Sequence, residues 1–103
     1  MAPDKDGTIA SSALYKPRVP EALLYVGGHP GCNKKEIQGI FGGSGRSVEG
    51  RISGLIGAEL MEFYVEPKSN SHHYSLTEKG ERVAELVRRI EDTFAGRVRD
   101  VHP

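Results

Sequence analysis

The sequence has a single cysteine and no tryptophan, and no part of it approaches the roughly 20 consecutive apolar residues that a membrane-spanning helix needs. The lone Cys32 cannot form a disulfide within the chain, which favours a reducing compartment. Residues 1–10 lack the apolar segment of a secretory signal peptide. Together these absences predict a cytoplasmic protein with no membrane partner.

An excess of charge of one sign is also missing, because 14 Lys and Arg residues balance 14 Asp and Glu residues. The charges are unevenly distributed, since residues 29–58 contain four basic and two acidic side chains. Zero net charge does not favour a protein that binds polyanions through its overall charge. An anionic partner is therefore expected to meet the local excess in residues 29–58.

The length of 103 residues indicates one domain and excludes large enzyme folds such as the TIM barrel, which needs about 250 residues. Residues 1–13 are polar and aperiodic and are predicted to form a flexible tail. Residues 97–103 are predicted to form a second tail. The domain is expected between them, over residues 14–96.

Three helices are predicted in the first half of this domain. Pro20 suits the first turn of a short apolar helix, which the glycine pair 27–28 ends. Asn33 is a good N-cap for a second helix over residues 34–41. A glycine-rich turn separates it from a third helix over residues 46–58, whose apolar stripe consists of Val48, Ile52, Leu55 and Ile56.

The period of the apolar residues then changes from 3.6 to 2. Residues 60–66 are predicted to form a half-buried strand whose inward side chains are Met61, Phe63 and Val65. A polar loop over residues 67–72 leads to a return strand over residues 73–76. Thr77 can then cap a long last helix over residues 78–95.

This order of elements, three helices followed by a β-hairpin and a long helix, resembles the winged helix-turn-helix superfamily. Local sequence carries the likeness in residues 21–28, 47–61 and 74–80. The last of these segments is similar to the second wing strand and helix start of MarR-like and small archaeal-type winged-helix transcriptional regulators. The resemblance covers residues 18–95 and implies an α+β fold that binds double-stranded DNA. One departure is Glu59, which stands where these proteins often have a helix-ending glycine.

The third helix has the features of a helix that enters the DNA major groove, which is about 12 Å wide. The face opposite its apolar stripe is polar and small, and Arg51 on that face can bind guanine or a phosphate. The start of the helix offers free N–H groups to a phosphate, and the loop of the hairpin is free of acidic residues. The predicted DNA-binding residues are Lys34, Lys35, Ser44, Arg46, Ser47, Gly50, Arg51, Lys68, Asn70, His72 and His73.

The last helix carries an apolar stripe that is longer than a small core requires. A helix of about 18 residues is about 27 Å long, so its second half extends beyond the expected reach of the other helices. Pairing of two copies across a two-fold axis would bury this half and produce a homodimer on a palindromic DNA site. The alternative is that the stripe packs within one chain, against Leu14 and Tyr15. The predicted dimerisation residues are Leu86, Val87, Ile90 and Phe94.

A second interpretation of the same fold is a protein-interaction module without sequence-specific DNA binding. Neutral charge and the small residues Gly50 and Gly54 motivate it, since glycines also allow another protein helix to pack closely. No catalytic set of residues emerges, so an enzyme is not expected and no cofactor is implied. A metal site formed by residues 29–32 with His72 and His73 is not expected, because adjacent strand residues point to opposite faces.

Overall fold

The computed structural model describes residues 11–96, and within this range the predicted elements follow one another in the expected order. The predicted tail 97–103 lies outside the described residues, as do residues 1–10 of the other predicted tail. No helix in the described range is both long and apolar enough to cross a bilayer. The elements are a 3₁₀ turn (Ser12–Tyr15), α1 (Val19–Gly28), β1 (Cys32–Asn33), α2 (Lys34–Phe41), α3 (Gly45–Gly57), β2 (Met61–Val65), β3 (His72–Leu76) and α4 (Glu78–Phe94).

Side-chain caps define the starts of α2 and α4. The Asn33 side chain accepts a hydrogen bond from the backbone N–H of Glu36 at 2.9 Å, and the Glu36 carboxylate accepts one from the backbone N–H of Asn33 at 3.1 Å. This capping box satisfies two N–H groups that a helix start leaves unpaired. The Thr77 hydroxyl accepts from the backbone N–H of Gly80 at 2.9 Å. The N-caps predicted at Asn33 and Thr77 are therefore confirmed.

The core lies around α1, which contacts α2, β3 and α4. α1 ends at Gly28, within the predicted glycine pair. The stripe predicted on α3 faces inward, with Ile56 half-buried and the other three members buried. Burial of such apolar faces is the main source of stability for short helices. The most deeply buried side chains are Val19, Leu23, Val26, Ile37, Val48 and Leu55.

The sheet contains one strand more than the predicted hairpin. β3 lies in the middle, with β1 and β2 antiparallel on its two sides, so that Cys32 and Phe63 both pair with Tyr74. The predicted burial of β2 is correct only at its start. Met61 is buried, whereas Phe63 and Val65 are 45% and 42% exposed, because the hairpin extends beyond the helices that cover its first residue.

The turn between α3 and β2 is held closed by the start of α4. Glu59 has a φ of 65°, the left-handed conformation that a glycine adopts most easily, at the position where the resembling proteins often have one. The Thr77 hydroxyl donates to the Glu59 carbonyl at 2.6 Å, and the Lys79 ammonium donates to the Ala58 carbonyl at 2.9 Å. These bonds satisfy carbonyls that the end of α3 leaves without a helical partner. The helix therefore ends here without a glycine at residue 59.

Candidate nucleic-acid interface

The start of α3 is an ordered, capped helix terminus. Gly42 and Gly43 have φ values of 68° and 72°, so the turn before the helix uses a conformation that other residues rarely adopt. The Ser44 hydroxyl accepts from the backbone N–H of Ser47 at 3.2 Å and thereby caps the helix. Ser44 is thus a structural cap, and Arg46 beside it is exposed.

The outward face of α3 carries few large side chains. Arg46, Glu49 and Ser53 are exposed and follow one another at helical spacing. Gly50 and Gly54 are exposed, and a Cβ atom added to either would have no neighbour within 4 Å. The small-residue face predicted from the sequence is therefore open, and another molecule can approach the backbone closely there.

One edge of this face borders a groove of about 350 Å³ beside the N-terminal segment. Ala13, Lys16 and Pro17 form the far wall of the groove. The wall on the α3 side consists of Ser47, Gly50, Arg51 and Gly54. The segment before α1 thus lies next to the face on which the sequence places a recognition surface.

Arg51 folds back onto the protein. The carbon at the centre of its guanidinium lies 5.2 Å from the centre of the Phe41 ring, which is the geometry of a cation–π contact. Its Nη1 atom is buried and has no hydrogen-bond partner among the described residues. In this conformation the side chain lies against the C-terminal end of α2, so a contact with a base requires it to rotate away from Phe41.

A contact between α2 and α3 involves a predicted residue and one that the sequence analysis missed. The Lys34 ammonium donates to Oε2 of Glu49. This hydrogen bond raises the pKa of Lys34 and lowers the pKa of Glu49, since each charge stabilises the other. Glu49 could have been predicted from the sequence, because it lies one helical turn after Arg46 on the exposed side of the helix. Lys35, the other predicted lysine of α2, is exposed beside Lys34.

The wing presents its predicted residues on different sides. Lys68 and Asn70 are exposed in the loop between β2 and β3, where Asn70 has a φ of 59°. His72 stacks on Phe63, with ring centres 5.1 Å apart, and both border a pocket of about 230 Å³ that Lys34 and Glu49 also line. His72 and Phe63 therefore face α3 across this pocket. Of these two, only His72 was predicted as a contact.

His73 lies on the opposite face of the wing. Its Nδ1 atom is 2.9 Å from the Gly31 carbonyl oxygen, its ring stacks on Tyr64, and its Nε2 atom is 3.6 Å from the Glu66 carboxylate. The contact with Gly31 ties the wing to the turn between α1 and α2. The structure thus separates His72 from His73, as expected for neighbours in a strand. Among residues 11–96, no three His, Cys, Asp or Glu side chains are grouped to hold a metal ion.

The four predicted dimerisation residues of α4 differ in their exposure to solvent. Val87 is 5% exposed and packs inside the chain, which leaves it unavailable to a second copy. Leu86, Ile90 and Phe94 are 56%, 51% and 86% exposed. These three lie at i, i+4 and i+8, and with Arg89 and Thr93 they border one shallow surface depression. Hereafter the term α4 stripe denotes Leu86, Ile90 and Phe94.

No protein-family model and no curated protein matches the sequence. Solved structures do match. FabT of Streptococcus pneumoniae, solved in complex with DNA, has a TM-score of 0.68 and 15% identity, over 87% of this chain and 68% of FabT. MepR of Staphylococcus aureus, in a DNA complex, has a TM-score of 0.69 and 20% identity, over 84% of this chain and 75% of MepR. MarR has a TM-score of 0.64 and 18% identity, over 73% of this chain and 56% of MarR.

These likenesses identify the fold. The chain has an α+β winged helix-turn-helix fold, in which α1 to α3 form the helical core and β2 and β3 form the wing. The fold class and the resemblance inferred from the sequence are therefore confirmed. Of these neighbours, MepR is a transcription regulator of a multidrug efflux pump, and FabT and MepR were both solved with DNA bound.

Proposed function

We propose that the protein is a sequence-specific regulator that binds double-stranded DNA, with α3 in the major groove and the wing beside it. The observation that carries the proposal is the exposed, small-residue face of α3, where even an added Cβ atom at Gly50 or Gly54 would have no neighbour within 4 Å. A major groove about 12 Å wide admits one helix when its outward side chains are short and polar. Two structural neighbours solved with DNA bound support DNA as the partner.

The residues have distinct proposed roles. Arg46 and Ser47 lie in the first turn of α3 and contact bases or the adjacent phosphates, where the backbone N–H groups near Ser44 and Gly45 also point. Arg51 reaches a guanine or a phosphate once its guanidinium leaves the Phe41 ring. The remaining contacts, to the phosphate backbone or the minor groove, come from α2 and the wing through Lys34, Lys35, Lys68, Asn70 and His72. His73 is not among them, because its ring is held on the opposite face of the wing by Gly31, Tyr64 and Glu66.

The proposal includes a homodimer, because the charge of one chain is small. Residues 29–58 carry only two more basic than acidic side chains, and phosphate neutralisation dominates the affinity of most DNA-binding proteins. Two copies double the number of phosphate contacts. The α4 stripe supplies an apolar surface for pairing across a two-fold axis, which gives two α3 helices a separation of about 34 Å, one turn of DNA.

A fluorescence anisotropy titration with a pool of random duplexes tests DNA binding. The expected result is a complex at low salt whose affinity falls steeply as salt rises. A selected duplex should then bind at least about 1,000-fold more tightly than the unselected pool, as is typical of specific regulators. Absence of any complex at low salt would refute the proposal, and it is the outcome expected of a winged helix that binds only proteins.

A further inference from the structure

Glu49 lies on the exposed side of α3, one helical turn after Arg46 and one turn before Ser53. Its side chain is 60% exposed, so burial within the chain does not account for its place there. A carboxylate on a helix that faces DNA is repelled by the phosphates and lowers the affinity for every sequence. Glu49 therefore contributes to binding only if it distinguishes one base from another.

The Lys34 contact fixes the position of the carboxylate. Lys34 begins α2, and its ammonium donates to Oε2 of Glu49, so the side chain is held from a neighbouring helix. This contact uses only Oε2, which leaves Oε1 for another donor. The lysine charge also offsets part of the repulsion between the carboxylate and the phosphates. One oxygen acceptor thus remains available on the exposed side of α3, at the border of the pocket that His72 and Phe63 also line.

We propose that Glu49 is a specificity-determining residue of the DNA interface and that its Oε1 atom accepts a hydrogen bond from the amino group of a cytosine. This inference rests on the proposed function. An ionised carboxylate only accepts hydrogen bonds, and cytosine presents only its N4 amino donor in the major groove. Guanine and the carbonyl of thymine present acceptors, which repel a carboxylate. Adenine has a donor with an acceptor beside it, a pattern that a glutamine amide matches better.

Lys34 is the positioning residue in this arrangement. Without its ammonium, the carboxylate loses both its fixed position and its partial neutralisation. Lys34→Ala should therefore weaken binding to all duplexes and also reduce the preference for cytosine. A lysine that contacted only a phosphate would leave base preference unchanged.

The experiment selects 20-bp duplexes from a random pool with the wild-type protein, with Glu49→Gln and with Glu49→Ala. Affinities for the best duplex and its single-base-pair variants are then measured by anisotropy at fixed salt. At one position in each half-site, the wild type should prefer cytosine about tenfold. Glu49→Gln should shift that position towards adenine, and Glu49→Ala should show less than about threefold discrimination there.

Glu81→Gln is the matched control, because it removes the same charge from an exposed position on α4, away from α3. It should leave the selected sequence unchanged. Circular dichroism of all variants verifies folding, which an exposed substitution at residue 49 does not threaten.

The possible failures are distinguishable. If the wild type forms a complex and Glu49→Gln selects the same sequence, the inference about Glu49 is overturned while the proposed function stands. The same conclusion follows if Glu49→Gln raises the affinity for all duplexes equally, since that effect is only electrostatic. If the wild type forms no complex at low salt, the proposed function is overturned and the inference with it.

Discussion

At the scale of single residues, Gly80 is the position at which the backbone itself leaves no room for a side chain. A Cβ atom there would overlap the carbonyl oxygen of Leu60 and lie 2.9 Å from its carbonyl carbon. Both atoms belong to the backbone, so a side-chain movement cannot relieve the contact. Gly80→Ala should therefore lower the free energy of unfolding by at least about 2 kcal/mol. Urea unfolding followed by circular dichroism measures this change.

Gly39 provides the matched control for that substitution. It lies within α2, and a Cβ atom at this position would meet nothing within 4 Å. Gly39→Ala should therefore raise the free energy of unfolding by up to about 1 kcal/mol, because alanine has the higher helix propensity. Equal effects of the two substitutions would mean that α4 does not approach Leu60 as closely as described.

Glu36 is a residue whose titration should make stability depend on pH. The Tyr25 hydroxyl donates to its carboxylate at 2.6 Å, and this bond, with that from the Asn33 backbone, lowers the pKa of Glu36. The folded pKa thus lies below the unfolded value of about 4.3. The stabilisation is present above about pH 4.3 and is lost as the pH falls through the folded pKa.

Urea midpoints measured from pH 7 down to pH 3 test this prediction. The wild type should lose more stability below about pH 5 than Glu36→Gln does, since the amide cannot titrate. Glu81→Gln, an exposed carboxylate on α4, controls for the loss of one negative charge and should resemble the wild type. Parallel curves for the wild type and Glu36→Gln would contradict the role of Glu36.

At the scale of whole elements, the helices could be predicted because their signals are local and repeated. A helix start is predicted by a pattern of only four residues, such as Asn33 followed by Glu36, or Thr77 followed by a charged first turn. The period of α3 continues over three turns and identifies its buried face. β1 has only two residues, Cys32 and Asn33, so no period exists to predict it. Its pairing with β3 depends on contacts distant in the chain.

The same reasoning explains which parts of the candidate site the sequence did not predict. Helical spacing correctly put Arg51 beside Gly50 and Gly54, because spacing determines the direction of each Cα–Cβ bond. Helical spacing does not determine the side-chain torsion angles of Arg51, which bring its guanidinium over the Phe41 ring. The alternation of apolar and polar residues in β2 likewise predicts which side chains share a face of the strand. Whether that face is buried depends on how far the helices extend along it. Phe63 is therefore exposed, although its place in the alternation is correct.

The wing should contribute to DNA affinity through its loop. Lys68 is exposed, and the carboxylate nearest to it in the sequence, Glu66, accepts from Ser69 and faces His73. Lys68→Ala should weaken binding to selected and random duplexes alike and make the slope of log K against log[salt] shallower by about one unit. Arg82→Ala, which removes a charge from α4, should leave the slope unchanged. A change in sequence preference would instead assign Lys68 to a base.

At the scale of the whole molecule, the α4 stripe connects stability, assembly and DNA binding. Apolar side chains as exposed as Phe94 and Ile90, aligned on one side of a helix, are unusual for a monomer and typical of an association surface. Inside the chain, α4 already buries Ala84 and Val87. Ile90 and Phe94 follow Val87 at i+3 and i+7, so the stripe continues this side of α4 beyond the part that the chain itself covers.

The dimer makes a testable prediction about mass and DNA site together. The wild type at micromolar concentration should sediment at twice its 11.2 kDa chain mass, and Ile90→Glu should sediment as a single chain, because pairing would bury the new charge. Val65→Glu is the matched control, since it places the same charge on a half-exposed apolar residue outside α4. It should remain dimeric.

The DNA sequence that the protein selects should change together with its oligomeric state. The wild type should select a palindrome whose half-sites are about 34 Å apart, because a two-fold dimer presents two identical α3 helices. Ile90→Glu should bind a single half-site weakly and no longer require the palindrome, since each chain then neutralises few phosphates. A wild-type protein that sediments as a single chain would refute the dimer. A monomer that nonetheless bound tightly would also show that the small charge excess of residues 29–58 is sufficient alone.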